Sequence, residues 1–333
     1  MPMIGNRRDF LIGLSATAVG LYGGAAASAE KGELETTTVR FASAPGICIA
    51  PQYVAEELLL AEGLSVDYVK AQAGLSTVAQ VALGDLDFAV DFATAFVIPI
   101  DTGSPIKVLS GVHVGCYELF AHEGIRTVLD LKGRSVGAGW NLGSDPHVFV
   151  SAIASYVGLD PTRDINWVTS EAEPLQLFKE GKIDAFLSFP PEAQQLRAEK
   201  IGKVIVNSML DRPWSQYFCC MLASNASFAE RHPVATKRVL RAILKAADIC
   251  VSDPDAVARL LVEKGYAPDY DYATQALREI PFAPWRDFDP EDTIRFFALR
   301  LREADMVKSS PQKIIASGTD WSFFNELRRE LKG

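Results

Sequence analysis

Three carboxylates, Asp91, Glu171 and Glu192, stand where apolar runs give way to polar loop residues. So placed, a carboxylate accepts hydrogen bonds from an amine or amide of a ligand, or caps and flanks a helix. Five rings, Phe92, Phe96, Trp140, Phe189 and Trp214, fall at comparable positions. Rings at loop positions can hold a flat ligand between them, or pack as core. Two helix starts face the same way, Gly74-Leu75-Ser76-Thr77 and Asn141-Leu142-Gly143-Ser144-Asp145-Pro146-His147. Unpaired N–H groups there suit an anion. At the second, Asp145 reads as the N-cap with Pro146 as the first helical residue, which would occupy those donors and repel an anion. No Lys or Arg lies in these loops, so a strongly charged ligand lacks a counter-ion unless Arg212, in Asp211-Arg212-Pro213-Trp214, reaches it. His147 stands in the first turn of its helix, whereas His113, His122 and His232 are isolated.

Catalytic signatures are missing. There is no G-x-S-x-G, H-E-x-x-H, G-x-x-x-x-G-K-[ST] or G-x-G-x-x-G, so the common hydrolase, zinc-protease and nucleotide-binding readings have no support. The cysteines are Cys48, Cys116, Cys219, Cys220 and Cys250. No C-x-x-C spacing occurs, which leaves zinc-ribbon, thioredoxin and c-type haem readings unsupported. The expectation is five small buried hydrophobes, with no metal and no cofactor.

The elements that must position these residues alternate. Thr38–Ala42 reads as a strand, Ala50–Ala61 as a helix, Leu64–Val69 as a strand, and a helix opens at Gly74–Thr77 before a strand at Phe88–Val90. This rhythm implies a sheet with helices on its faces. Strands follow at Pro105–Val112 and Tyr117–Ala121, and the pattern then restarts from Leu129. A second α/β unit is thus nested in the first, and after Pro233 the chain is mainly amphipathic helix. Ligands of such sheets sit beyond the carboxyl ends of strands, which selects loops 43–47, 72–77, 91–96, 139–147, 170–174 and 188–192. The chain should cross between units near Val114–Tyr117 and again near Trp214–Cys219. If the crossings run side by side, Cys116 lies near Cys219 or Cys220, and a disulfide is possible where the Cα atoms are within about 7 Å.

The 333 residues are 48% hydrophobic and 23% charged, a globular composition with material for two domains. The net charge of −9 argues against a nucleic-acid partner. Asn6-Arg7-Arg8-Asp9-Phe10-Leu11-Ile12 is a twin-arginine block followed by a glycine-diluted apolar run, and Ala27-Ser28-Ala29 is a cleavage site. Residues 1–29 are therefore expected to be removed on export, leaving a soluble acidic protein in a bacterial periplasm.

The phrases Leu129-Asp130-Leu131-Lys132-Gly133-Arg134-Ser135-Val136, Gly84-Asp85-Leu86-Asp87-Phe88, Gly181-Lys182-Ile183-Asp184-Ala185 and the Gly143-Ser144-x-Pro146-His147 helix start carry a resemblance. Over roughly residues 38–300 the chain resembles the substrate-binding proteins of ABC importers for nitrate, sulfonates, taurine and thiamine-precursor pyrimidines. The resemblance implies a type 2 periplasmic binding fold, α/β, with two lobes of mixed, mostly parallel sheet joined by a two-strand hinge. Residues 37–113 plus 219–333 would form one lobe and 114–218 the inserted other. It further implies a monomer that captures a small molecule without catalysis and hands it to an inner-membrane permease. Family contacts map by position onto Ser43, Ala44, Pro45 and Gly46; Gly74, Ser76 and Thr77; Phe92, Ala93 and Thr94; Asn141, Gly143 and Ser144; and Ser188, Phe189 and Pro190. The first of these loops lacks the polar or aromatic residue that many sulfonate binders present, which makes the pocket more apolar. The expected ligand has a flat or apolar body between Phe92, Trp140 and Phe189, with its polar end at Ser76-Thr77 and Asn141–Ser144. It is either a sulfonate or carboxylate held by backbone N–H groups, or a neutral or amine-bearing heterocycle for which Asp91, Glu171 and Glu192 offer acceptors. Alternatives are a ligand-sensing module, or an enzyme like the iron-dependent pyrimidine synthases of the same superfamily, of whose cysteine-rich motif Phe218-Cys219-Cys220 is only a fragment.

Overall fold

The computed structural model describes residues 32–70, 72, 74–170 and 173–331. The twin-arginine block, the cleavage site and Glu171 lie outside the described residues. In chain order the first elements are β1 (Thr38–Ser43), α1 (Ala50–Ala61), β2 (Ser65–Lys70), α2 (Thr77–Leu83), β3 (Phe88–Phe92), α3 (Ala93–Asp101) and β4 (Ile106–Val114). There follow β5 (Glu118–Ala121), β6 (Ser135–Gly139), α4 (Asp145–Tyr156), β7 (Asn166–Thr169), α5 (Pro174–Lys179), β8 (Ala185–Ser188), α6 (Glu192–Glu199), β9 (Lys203–Asn207) and β10 (Phe218–Asn225). From Ala226 the chain is helical. Pro233, Pro254, Pro290 and Pro311 each open a helix, because a first-turn N–H has no intrahelical partner to lose.

β1 and β2 pair in parallel, and β3-β10-β4 form an antiparallel sheet. The remaining five strands make one sheet in the order β7-β6-β8-β5-β9. There β6 runs parallel to β7 and β8, whereas β5 is antiparallel to β8 and β9. The sheets are thus mixed, and every antiparallel ladder involves β5 or β10, the strands that follow the two chain crossings. Each crossover helix covers a sheet face, as the βαβ alternation requires.

Residues 91–96, read from sequence as a loop, instead enter α3 directly from β3. Two cap residues behave as their chemistry dictates. The Ser76 hydroxyl accepts from the Ala79 N–H at 3.1 Å, and α2 ends at Gly84 with φ +81°, the left-handed conformation that glycine adopts without penalty.

The crossings run side by side, with Phe218 opposite Val114 and Cys220 opposite His113. Ser208 ties the first crossing down. Its hydroxyl oxygen accepts from the Cys116 and Tyr117 N–H groups at 3.1 and 2.7 Å, and the hydroxyl donates to the Tyr117 carbonyl at 2.8 Å. Gly115 there has φ +47°, and a Cβ on it would lie 2.5 Å from the Ser208 carbonyl oxygen. Cys116 Sγ sits 2.9 Å from Cys219 Sγ, and all five cysteines are buried and free.

Candidate functional site

A cavity of about 590 Å³ opens between the ends of α2 and α3 on one side and the loops after β6, β7 and β8 on the other. Of the residues singled out from sequence, it is lined by Gly74, Ser76, Thr94, Trp140, Asn141, Gly143, Ser144 and Phe189. Trp140 is 57% exposed at the rim. Phe189 continues inward into a ring cluster: Phe92 stacks on it at 5.3 Å, and Tyr117 meets both rings. The Thr94 hydroxyl is buried and has no hydrogen-bond partner. A buried polar atom left unpaired is costly, so a hydroxyl at a cavity wall is a contact waiting for a partner.

The start of α4 differs from the sequence reading by one residue. Ser144 is the N-cap, Asp145 opens the helix and Pro146 follows. The Ser144 hydroxyl does not cap the helix but donates to the Ala138 carbonyl. Asp145 is free to line the cavity instead, and burial pushes its carboxyl up to about 7. Asp91 lies behind, accepting from the Phe92 N–H at 2.8 Å. Burial, and then the charge of Asp145, hold Asp91 well above the usual carboxylate range. Glu173 and Ser170 complete the polar lining. Among the described lining residues there is no Lys, Arg or His. Glu173 and the α3 residues Ile98 and Pro99 were not singled out from sequence, and Asp145 was read there as a helix cap rather than a ligand contact, although Asp145 and Glu173 stand in the selected loops.

Other candidates lie off the cavity. Ser43, Ala44, Pro45 and Gly46 form a loop held by Tyr53, whose hydroxyl oxygen accepts from the Ala44 N–H at 3.1 Å, and by Tyr266, whose carbonyl accepts from the Gly46 N–H at 3.1 Å. Thr77 and Ala93 sit in the first turns of α2 and α3. His147 turns aside: its Nδ1 accepts from the Gly143 N–H at 3.0 Å and its ring meets Trp167 edge-on. Trp214 is buried among Phe149, Tyr156 and Phe296, so this ring packs the core rather than a ligand. Ser188 and Pro190 flank Phe189, and the buried Ser188 hydroxyl donates to Glu192 at 3.4 Å.

Burial and then the charge of Glu173 raise the Glu192 carboxyl above its ordinary range, against hydrogen bonds from Ser188 and the Phe189 N–H. The folded chain therefore holds this proton more tightly than the unfolded chain. The contribution to stability is greatest in acid and declines as pH rises from the ordinary carboxylate range through the folded value. Glu192→Gln should remove that decline. Thermal unfolding should show the variant gaining on the parent at about pH 8 relative to about pH 4; an equal difference at both would refute the assignment.

Comparison with known proteins gives a consistent picture. The family model described as NMT1/THI5 like matches residues 48–257. A sequence search of curated proteins found no match. The fold is similar to the periplasmic nitrate-binding protein NrtA from Synechocystis PCC 6803, with TM-score 0.76 and 13% identity over 90% of each chain. It is also similar to the alkanesulfonate-binding protein SsuA from Xanthomonas axonopodis pv. citri bound to MOPS, with TM-score 0.69 and 16% identity, covering 87% of this chain and 100% of that one. The desulfurization enzyme DSZB shares the fold at TM-score 0.59 and 16% identity, covering 88% of this chain and 99% of that one.

Proposed function

Because the chain belongs to the NMT1/THI5-like family, we propose that it is an extracytoplasmic solute-binding protein that captures a small organic molecule and delivers it to an ABC importer. The ligand has a flat or apolar body and carries an amine, amidine or amide. The observation that carries this reading is the cavity wall: Asp145, Glu173 and Thr94 line it, the buried Thr94 hydroxyl is unpaired, and no basic side chain stands among the described lining residues. Such a wall offers acceptors to a donor-bearing ligand. A nitrate or sulfonate would meet the carboxyl groups of Asp145 and Glu173 there, with no basic side chain among the described lining residues to balance its charge.

In this reading residues 37–113 plus 219–333 form one lobe and 114–218 the other, and the crossings at 114–117 and 214–219 serve as the hinge. The chain works as a monomer in the periplasm, reached by the twin-arginine route with cleavage near Ala29, and docks on an inner-membrane permease. Calorimetry on a panel of nitrate, alkyl sulfonates, aromatic carboxylates, aminopyrimidines and aryl amidines tests the proposal. Binding of the amine-bearing members without turnover is expected. Tight nitrate or sulfonate binding would overturn the ligand class, and conversion of any panel member to product would overturn the role.

A further inference from the structure

Away from the cavity, His113, Cys116, Cys219 and Cys220 converge where the two crossings meet, and their ligand atoms all lie within 4.8 Å of one another. We propose that these four residues form a structural site for a thiophilic closed-shell cation, Zn²⁺ or Cu⁺, which staples the first crossing to the second.

The donor set comes first. Three thiols and an imidazole make a Cys3His set, one of the combinations that hold structural zinc in tetrahedral geometry. Soft sulfur ligands select Zn²⁺ or Cu⁺ over hard cations. With metal–sulfur bonds of about 2.3 Å, tetrahedral S···S edges are about 3.8 Å. The present spread brackets that value: no separation exceeds 4.8 Å, and Cys116 and Cys219, at 2.9 Å, would part by about 0.9 Å on binding.

The imidazole is an independent observation. His113 is fully buried. Its Nδ1 lies 3.4 Å from the Val114 carbonyl oxygen, its Nε2 is buried with no nitrogen or oxygen partner, and the ring interacts with the Cys220 thiol. That is the arrangement of a metal-bound histidine, in which one ring nitrogen is oriented by a backbone carbonyl and the other keeps its lone pair for the metal. Packing of Phe282 edge-on against the ring at 5.1 Å fixes its plane.

Position supplies the role. His113 ends β4, Cys116 stands in the link to β5, and Cys219 and Cys220 begin β10. A cation there joins segments a hundred residues apart in sequence, beneath side chains that exclude water. On binding, each of the three thiols releases its proton and the imidazole binds neutral, so a Zn²⁺ complex carries one net negative charge.

The test refolds the reduced full-length chain with and without zinc, and separately with Cu⁺, and measures bound metal by native mass spectrometry. One equivalent of zinc or Cu⁺ per chain is expected, and the two arms distinguish the cations. Cobalt(II) in place of zinc should give thiolate-to-cobalt charge-transfer absorption, a readout that needs no variant. Cys220→Ser and His113→Ala should lose most of the bound metal, whereas Cys250→Ser, remote in a C-terminal helix, should retain it. Absence of metal and of the cobalt band from the folded parent would overturn the proposal. So would a Cys116–Cys219 disulfide as the stable form of the protein after refolding with metal present, or metal uptake insensitive to Cys220→Ser.

Discussion

Asp145→Asn should lower affinity for an amine-bearing ligand by about ten- to a hundredfold. A hydrogen bond to a charged group contributes about 1.5–3 kcal/mol, and about 1.4 kcal/mol is a factor of ten. The substitution keeps the size of the side chain and its place in the first turn of α4, so the wall survives and only its acceptor character changes. Trp140→Ala provides an orthogonal loss. Burying an aromatic ring contributes about 2–3 kcal/mol, and Trp140 is the exposed ring at the rim, so tenfold or more should be lost whatever the charge of the ligand. Calorimetry on both variants separates the two contributions. An Asp145→Asn variant that binds anions more tightly and amines unchanged would assign the cavity to an anion.

The second large effect concerns the crossing. Gly115→Ala should cost roughly 2–4 kcal/mol, the sum of overpacking and a left-handed backbone for an L residue. At Gly115 a Cβ would come within 2.5 Å of the Ser208 carbonyl oxygen and 2.7 Å of Met209 backbone atoms, none of which can swing aside as a side-chain tip would. Gly124 is the control. It also has positive φ, +96°, but a Cβ there meets nothing within 4 Å, so Gly124→Ala should cost only the backbone part, about 1–2 kcal/mol. Denaturant midpoints measure the pair, and equal costs would show that the Ser208 contact does not constrain the crossing.

How much of this was legible in the residues varied with the range of the interaction. Strands β1 to β5 announced themselves by short apolar runs bounded by glycine, proline and other turn residues, because those signals act over a few residues. Helix α3 did not. Its sequence, ATAFVIPID, is apolar on every side and contains Pro99, so it shows no amphipathic contrast, and Thr94 was read as a loop residue. At α4, Ser144 and Asp145 are both cap formers, and the Ser144 bond to Ala138 settles what their types leave open. The Ser43–Gly46 loop stands off this cavity and Trp214 is buried away from it for a different reason. Their partners, Tyr53 and Tyr266 for the one and Phe149, Tyr156 and Phe296 for the other, are chosen by the tertiary fold. The cysteine–histidine cluster was legible in part. The two crossings placed Cys116 near Cys219 or Cys220 across 103 positions, and the thiols meet, whereas no spacing rule brought His113 to them.

Trp140 also gives the protein an optical gauge. Of its five tryptophans, Trp214 and Trp285 are sealed in the core, while Trp140 stands 57% in water at the cavity rim. An indole moved from water to an apolar contact emits at shorter wavelength. Occupancy of the cavity should therefore be readable as a blue shift from one residue over the steady emission of the other four, the half-buried Trp167 and Trp321 included, none of which lines the cavity. The unlabelled protein becomes its own titration indicator, able to screen solutes whose heats of binding are too small for a calorimeter.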